Sequence, residues 1–162
     1  MLAKEILLTL IDYDDWATVR IMELAAELPP EQLHAPAEAS HGSLHALLFH
    51  IVRTTNLWRC LLQTGQPPAE SLQIAKFPDV SALKELWLWE SERLREAVAR
   101  LSPAELAQEV SVLDRRGDEQ HLIAWHMLAQ ALLHAMQHRS EAAALLTKYG
   151  HSPGDIDFIF YV

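Results

Sequence analysis

Apolar residues recur at three- and four-residue intervals through four long segments of this 162-residue chain. That period belongs to helices that bury one face. Ile6, Leu10, Tyr13, Ala17, Ile21 and Leu24 mark the first segment, from about Leu2 to Leu28, and Pro29-Pro30 ends it. The second runs from near Ser43 to Gly65, with Leu47, His50, Thr54, Leu57, Trp58 and Leu61 along one stripe. The third, about Val80 to Leu101, turns Leu83, Leu86 or Trp87, Leu94 and Val98 inward. The fourth, about Leu122 to Tyr149, stops at Gly150, a residue type suited to the left-handed turn that closes helices. Strand signal is confined to Val110–Leu113 and Gln120–Ile123, which flank Asp114-Arg-Arg-Gly-Asp118 and predict a small hairpin.

The connections predict how these helices are arranged. The segments that follow the first and third helices open alike, as Leu28-Pro-Pro-Glu-Gln-Leu33 and Leu101-Ser-Pro-Ala-Glu-Leu106. Two similar helix pairs are therefore expected. Between them, Gly65 to Asp79 carries Pro67, Pro68 and Pro78 and is long enough to cross the length of a bundle. The expectation is one all-α domain over residues 1–162, a four-helix bundle with one long crossover.

Charge and composition narrow the function. Half the residues are hydrophobic, enough to build a core without staples. The formal charge of −9 and the lack of any Lys/Arg block disfavour nucleic acid or an anionic membrane surface as partner. Cys60 is the single cysteine, so no intrachain disulfide is possible. No apolar run approaches the ~20 residues of a membrane span, and the start is too soon interrupted by Asp12, Asp14 and Asp15 for a signal peptide. A soluble cytoplasmic protein is expected.

Nine histidines carry the chemical content. His134 and His138 lie one helical turn apart, on the apolar stripe of Met127, Ala131, Ala142 and Leu145. Two inward imidazoles need partners for their nitrogens, and a metal ion serves both. A third ligand is best sought at His50, mid-helix on an apolar stripe. His45 lies about 140° around that helix and faces elsewhere. His126 is eight residues, roughly 12 Å, before His134 and too far for the same ion. His34, His41, His121 and His151 fall in loops and turns and are read as solvated, and Cys60 as a packed thiol. Glu141, three residues past His138, is open between a fourth ligand, an acceptor for an imidazole N–H, a general base and a solvated carboxylate; the acceptor is favoured. A di-iron bundle would need Glu-x-x-His pairs facing the core. Glu31-x-x-His34 and Glu38-x-x-His41 fall in a proline-rich connection, so that option is discounted.

Several of these motifs occur together in one known family. Ser43-Leu-His-Ala-Leu-Leu-Phe-His50-Ile followed by Leu57-Trp58, then His134-Ala-Met-Gln-His138-Arg139-Ser-Glu141, resembles the second and fourth helices of the DinB-like, damage-inducible metal-binding family. Tyr13-x-x-Trp16-Ala17 resembles its first helix, and Tyr149-Gly150, Pro153, Asp157-Phe158 and Tyr161 its tail. The resemblance spans the chain. It implies an up-down-down-up bundle in which His50, His134 and His138 bind one divalent metal ion, commonly nickel or zinc, with iron or manganese also possible, often in a homodimer. Thr18, Gln137 and Glu141 depart from the family's usual Asn, His and Gln, which touches the pocket lining and hence the substrate.

Three neutral imidazoles leave a divalent ion its charge and an open position, the arrangement of a reactive rather than a closed structural site. Some relatives transfer low-molecular-weight bacterial thiols onto electrophiles. The resemblance thus implies a metal-dependent enzyme that activates a thiol or water, a thiol S-transferase in the first case and a hydrolase in the second. The alternative is a non-catalytic metal- or ligand-binding module. Trp16 and Trp58 would line the mouth or simply belong to the core.

Overall fold

The computed structural model describes residues 2–114 and 116–162. Six helices and one hairpin follow in the order α1 (Leu2–Ala26), α2 (Pro30–Leu33), α3 (Leu44–Thr64), α4 (Val80–Arg100), α5 (Pro103–Leu106), β1 (Glu109–Leu113), β2 (Glu119–Ile123) and α6 (Ala124–Lys148). The four long helices lie within about two residues of the bounds read from the sequence. The two alike connections both become single helical turns that start at a proline, α2 and α5. Ser102 and Glu105 close a reciprocal capping box on α5. The crossover, residues 65–79, contains only a short 3-10 turn at Ile74–Lys76.

Local chemistry sets the ends. The Ser43 and Asp79 side chains accept the backbone N–H groups of Ala46 and Ala82, capping α3 and α4. Gly65 ends α3 at φ +68°, and a Cβ there would meet the Ser111 carbonyl oxygen at 2.5 Å. The close approach is used: Leu113 N–H donates to the Gly65 carbonyl, fastening the hairpin to the end of α3. The hairpin pairs antiparallel from Glu109 opposite Ile123 to Leu113 opposite Glu119; Arg115, in its turn, lies outside the described residues.

Polar contacts fix the helix directions. On α1 and α4, Asp12 pairs with Arg95, Asp15 accepts from Ser91 and Trp87, and Glu23 pairs with Lys84, so the two run antiparallel. Between α3 and α4, His45 bonds to the Phe77 carbonyl while Asn56 and Arg59 meet Glu90; these helices run parallel. Leu61 packs near Met127 while His50 meets His134 and His138, which sets α3 against α6 antiparallel. Ile11 packs with Leu128, and Asp14 and Thr18 meet Arg139, so α1 and α6 are parallel. The bundle is up-down-down-up. α1 and α3 each pack along α4 and α6.

The core is built from Ile21, Met22, Leu47, Leu48, Ile51, Leu83, Trp87 and Leu146, all at most 1% exposed. Each such side chain contributes roughly 1.5–3 kcal/mol on leaving water. Of the inward positions expected, Trp87 rather than Leu86 takes the buried place, and Ile6 is half exposed. Glu90, fully buried, was not expected inside. It lies on the α4 stripe three residues past Trp87, and Arg59 Nε (2.6 Å), Arg59 Nη2 (3.2 Å) and Asn56 Nδ2 (2.8 Å) donate to its two oxygens. Glu90→Ala leaves the Arg59 guanidinium buried without its counter-charge. We expect a loss of about 3–5 kcal/mol in urea unfolding, with the helical circular-dichroism signal retained in the native state. A loss under about 1 kcal/mol would show that water reaches Arg59.

Candidate metal centre

α3 and α6 face each other with their histidines in register. Ser43 caps α3, and His50 follows two turns later, pointing toward α6. On α6, His134 and His138 share a face, as their four-residue step requires. His134 Nε2 lies 3.1 Å from His50 Nε2 and 3.2 Å from His138 Nε2. His134 Nε2 thus stands between the Nε2 atoms of His50 and His138.

The other nitrogens show what holds the rings. His138 Nδ1 lies 3.1 Å from Glu141 Oε1 and 3.3 Å from Ser40 Oγ. Its Nδ1–H donates to the carboxylate, which leaves a lone pair at Nε2. Glu141 Oε2 also accepts the Ser40 backbone N–H at 2.9 Å. Burial alone would raise the Glu141 carboxyl, but the two Ser40 groups and His138 hold it below the usual carboxylate range. Arg53 Nη2 points at His50 Nδ1 from 3.4 Å, a long contact, and Thr54 Oγ1 lies 3.4 Å from His50 Nε2. His134 Nδ1 is buried and has no protein partner.

Protons alone cannot satisfy this cluster. A neutral imidazole carries one N–H. If His50 donates to His134, the His138 lone pair faces a nitrogen with nothing left to give. One cation among the three Nε2 atoms would engage all three lone pairs. Bonds of about 2.0–2.1 Å set tetrahedral ligand nitrogens about 3.3 Å apart, near the two separations from His134. The residues fit a metal ion. Protonation, by contrast, is opposed. Burial, then the neighbouring His41, His134, His138 and Arg53, push His50 down to about 3, and burial followed by His138 and His41 lowers His134.

The structure corrects the reading of two histidines: His41 lies in the cluster, and His121, read in a loop or turn, lies in strand β2 opposite Ser111. His41, read as solvated, stacks on His50 with ring centroids 3.6 Å apart and lies 5.1 Å from the His138 ring. One nitrogen from each of His41, His50 and His138 falls within 4.8 Å of the others. No helical period marks a loop residue, so the sequence pattern had no means to turn His41 inward. His45 faces away from the cluster, bonded through Nε2 to the Phe77 carbonyl at 2.8 Å. His126 is exposed, His121 sits by Glu109 and His151 by Glu27, while His34 packs its ring on His45. Cys60 is a half-buried free thiol. Trp16 packs on Tyr161 and Trp58 beside Leu61 and Val112, as part of the helix packing.

A second polar centre joins α1 to α6. Arg139 Nη1 donates to Asp14 Oδ1 and to Thr18 Oγ1, all three residues being buried. Burial raises the Asp14 carboxyl to about 6 against the pull of Arg139. Thr18, where the resembling family often has Asn, therefore serves the arginine that follows His138. Asp14 and Arg139 also form the polar floor of an apolar groove of about 630 Å³ between α1, α5 and α6. None of the clustered histidines lines it.

Among the described residues, no helix is long and apolar enough to cross a membrane. No curated protein matches the chain. A solved structure of a DinB-like protein from Bacillus subtilis superposes with a TM-score of 0.67 at 18% identity, covering 90% of this chain and 92% of that one. At that identity the likeness is one of fold. The model of the DinB family matches residues 1–162, the whole length, and the chain belongs to the DinB family.

Proposed function

We propose that the protein holds one divalent metal ion between His50, His134 and His138 and uses it on a small thiol or on water. The observation that carries this reading is that His134 Nε2 lies 3.1 Å from His50 Nε2 and 3.2 Å from His138 Nε2, where protons leave one lone pair unsatisfied. An all-imidazole donor set suits nickel and zinc better than calcium or magnesium. When bound, the ion supplies Lewis acidity, lowering the pKa of a thiol or water that reaches it. The protein's own groups then have separate tasks. Glu141 orients His138 and raises its basicity through Nδ1–H. Desolvation holds His50 and His134 neutral and ready to donate. Transfer of a small thiol to an electrophile is the activity proposed first, and hydrolysis is the second.

We also propose a homodimer. Ile6, Trp125, Leu133 and Met136 expose their apolar surface around the α1–α6 groove. The tail covers Tyr13 with Phe158 and Tyr161 but leaves Ile159, Phe160 and Val162 exposed. Exposed apolar surface of this extent supports burial against a second copy.

Metal analysis of untagged protein should find one divalent ion per chain. His50→Ala, His134→Ala or His138→Ala should each lower affinity at least about tenfold, whereas His45→Ala and His126→Ala should not, and Glu141→Gln should keep near-normal occupancy. Full occupancy in His50→Ala would refute the assignment. A screen of metal-loaded protein with a thiol plus an electrophile, and with ester substrates, should find turnover that His50→Ala abolishes. Sedimentation should give a species of twice 18.3 kDa that Leu133→Glu splits; a wild-type monomer at micromolar concentration would exclude the dimer.

The metal-free protein should lose stability in acid. Its native state keeps His50 neutral down to about pH 3, whereas an unfolded histidine takes a proton near ~6.5. The unfolded chain then binds more protons, so this share of stability is present above ~6.5 and is lost as pH falls toward 3. Asp14, raised to about 6, acts with the opposite sign between about 6 and ~3.9. Urea midpoints between pH 7 and 4.5 should therefore fall more steeply in the wild type than in a His50→Gln/His134→Gln variant. Equal slopes would mean that the histidines do not carry the effect.

A further inference from the structure

We infer that His41 is a fourth imidazole of the same centre, delivered by the loop between α2 and α3 and tethered there by Glu141. This rests on the reading that His50, His134 and His138 hold a metal ion. The His41 ring lies flat on His50, 3.6 Å away at 22°, and faces the edge of His138 at 5.1 Å. Its nitrogen falls within 4.8 Å of donor nitrogens on both. A ring that merely filled space on His50 would need no such approach to His138.

The loop holds His41 from both sides. On one side Ser40 gives its backbone N–H to Glu141 Oε2 at 2.9 Å. On the other, Gly42 closes a tight turn: Ala37 N–H donates to its carbonyl at 2.7 Å and its own N–H to Ala39 at 3.1 Å. Gly42 sits at φ +80°, a conformation that a side chain would oppose. One residue later Ser43 caps α3. Glu141 thus bridges two ligand-bearing elements, with Oε1 on the buried His138 and Oε2 on the loop that carries His41. Three of the four imidazoles are fixed on long helices, and only His41 rides on a short loop at the half-exposed rim. His41 is therefore the ligand that gives way when a thiol or water approaches.

The test is zinc titration of protein with 15N-labelled histidine, read from the ring-nitrogen resonances, with folding checked by circular dichroism. The expected result is that zinc moves a ring nitrogen of His41 together with those of His50, His134 and His138. His41→Ala should weaken zinc binding at least about tenfold and change the visible spectrum of the cobalt-substituted protein from the intense bands of four-coordinate nitrogen ligation to weaker ones. Glu141→Ala should diminish the His41 response while His50 and His134 still respond. If His50, His134 and His138 respond, His41 stays put, and His41→Ala keeps wild-type affinity, His41 is only a stacked neighbour and this inference falls while the three-histidine reading stands. If no histidine responds, both fall.

Discussion

The antiparallel seam between α3 and α6 is where packing and chemistry meet. Leu47, Leu48 and Ile51 on one side and Ala135, Ala142 and Leu146 on the other fix how the two helices lie. Small residues on α6 let the backbones approach, and that approach brings His50 of α3 to 3.1 Å from His134 of α6. The rings are close because the helices are packed, and the helices are packed by residues with no chemistry of their own. A larger side chain at Ala135 or Ala142 would spread the seam and separate the nitrogens.

The helices were legible because their information is periodic. Pro29-Pro30 and the glycines Gly65 and Gly150 mark where they stop, and the stripe of Met127, Ala131, Ala142 and Leu145 shows that His134 and His138 look inward. His50 was legible for the same reason. His41 was not, because its position depends on Ser40 reaching Glu141 across about a hundred residues, a contact without a local signature. Glu90 lies between the two cases. Its place on the α4 stripe was readable, but accepting an acid there requires knowing that Arg59 and Asn56 come to meet it.

Two buried charge centres flank the histidines, Arg59–Glu90 between the parallel helices α3 and α4, and Arg139–Asp14 between the parallel helices α1 and α6. Each satisfies its polar atoms with a third residue, Asn56 in one and Thr18 in the other. Buried pairs of this kind add little net stability over an apolar substitute, but they strongly disfavour alternative helix registers, which would strand a charge. Arg139 follows His138 directly, so the pairing with Asp14 also fixes the rotation of α6 about its axis and with it the direction of the His134 and His138 side chains.

The way the helices share neighbours bears on how the chain folds. α1 and α3 both pack along α4 and α6, so neither the first half of the sequence nor the second has a hydrophobic core of its own. A hairpin of consecutive helices cannot form early and wait for its partner. The two halves must interlock, and loop closure across the crossover precedes any gain from burial. Such a bundle has a higher contact order than one built from sequential neighbours and folds more slowly and more cooperatively for its size. Because His50 comes from one half and His134 and His138 from the other, the constellation does not exist in a half-formed molecule, and any ion it could hold must wait until the whole domain has emerged.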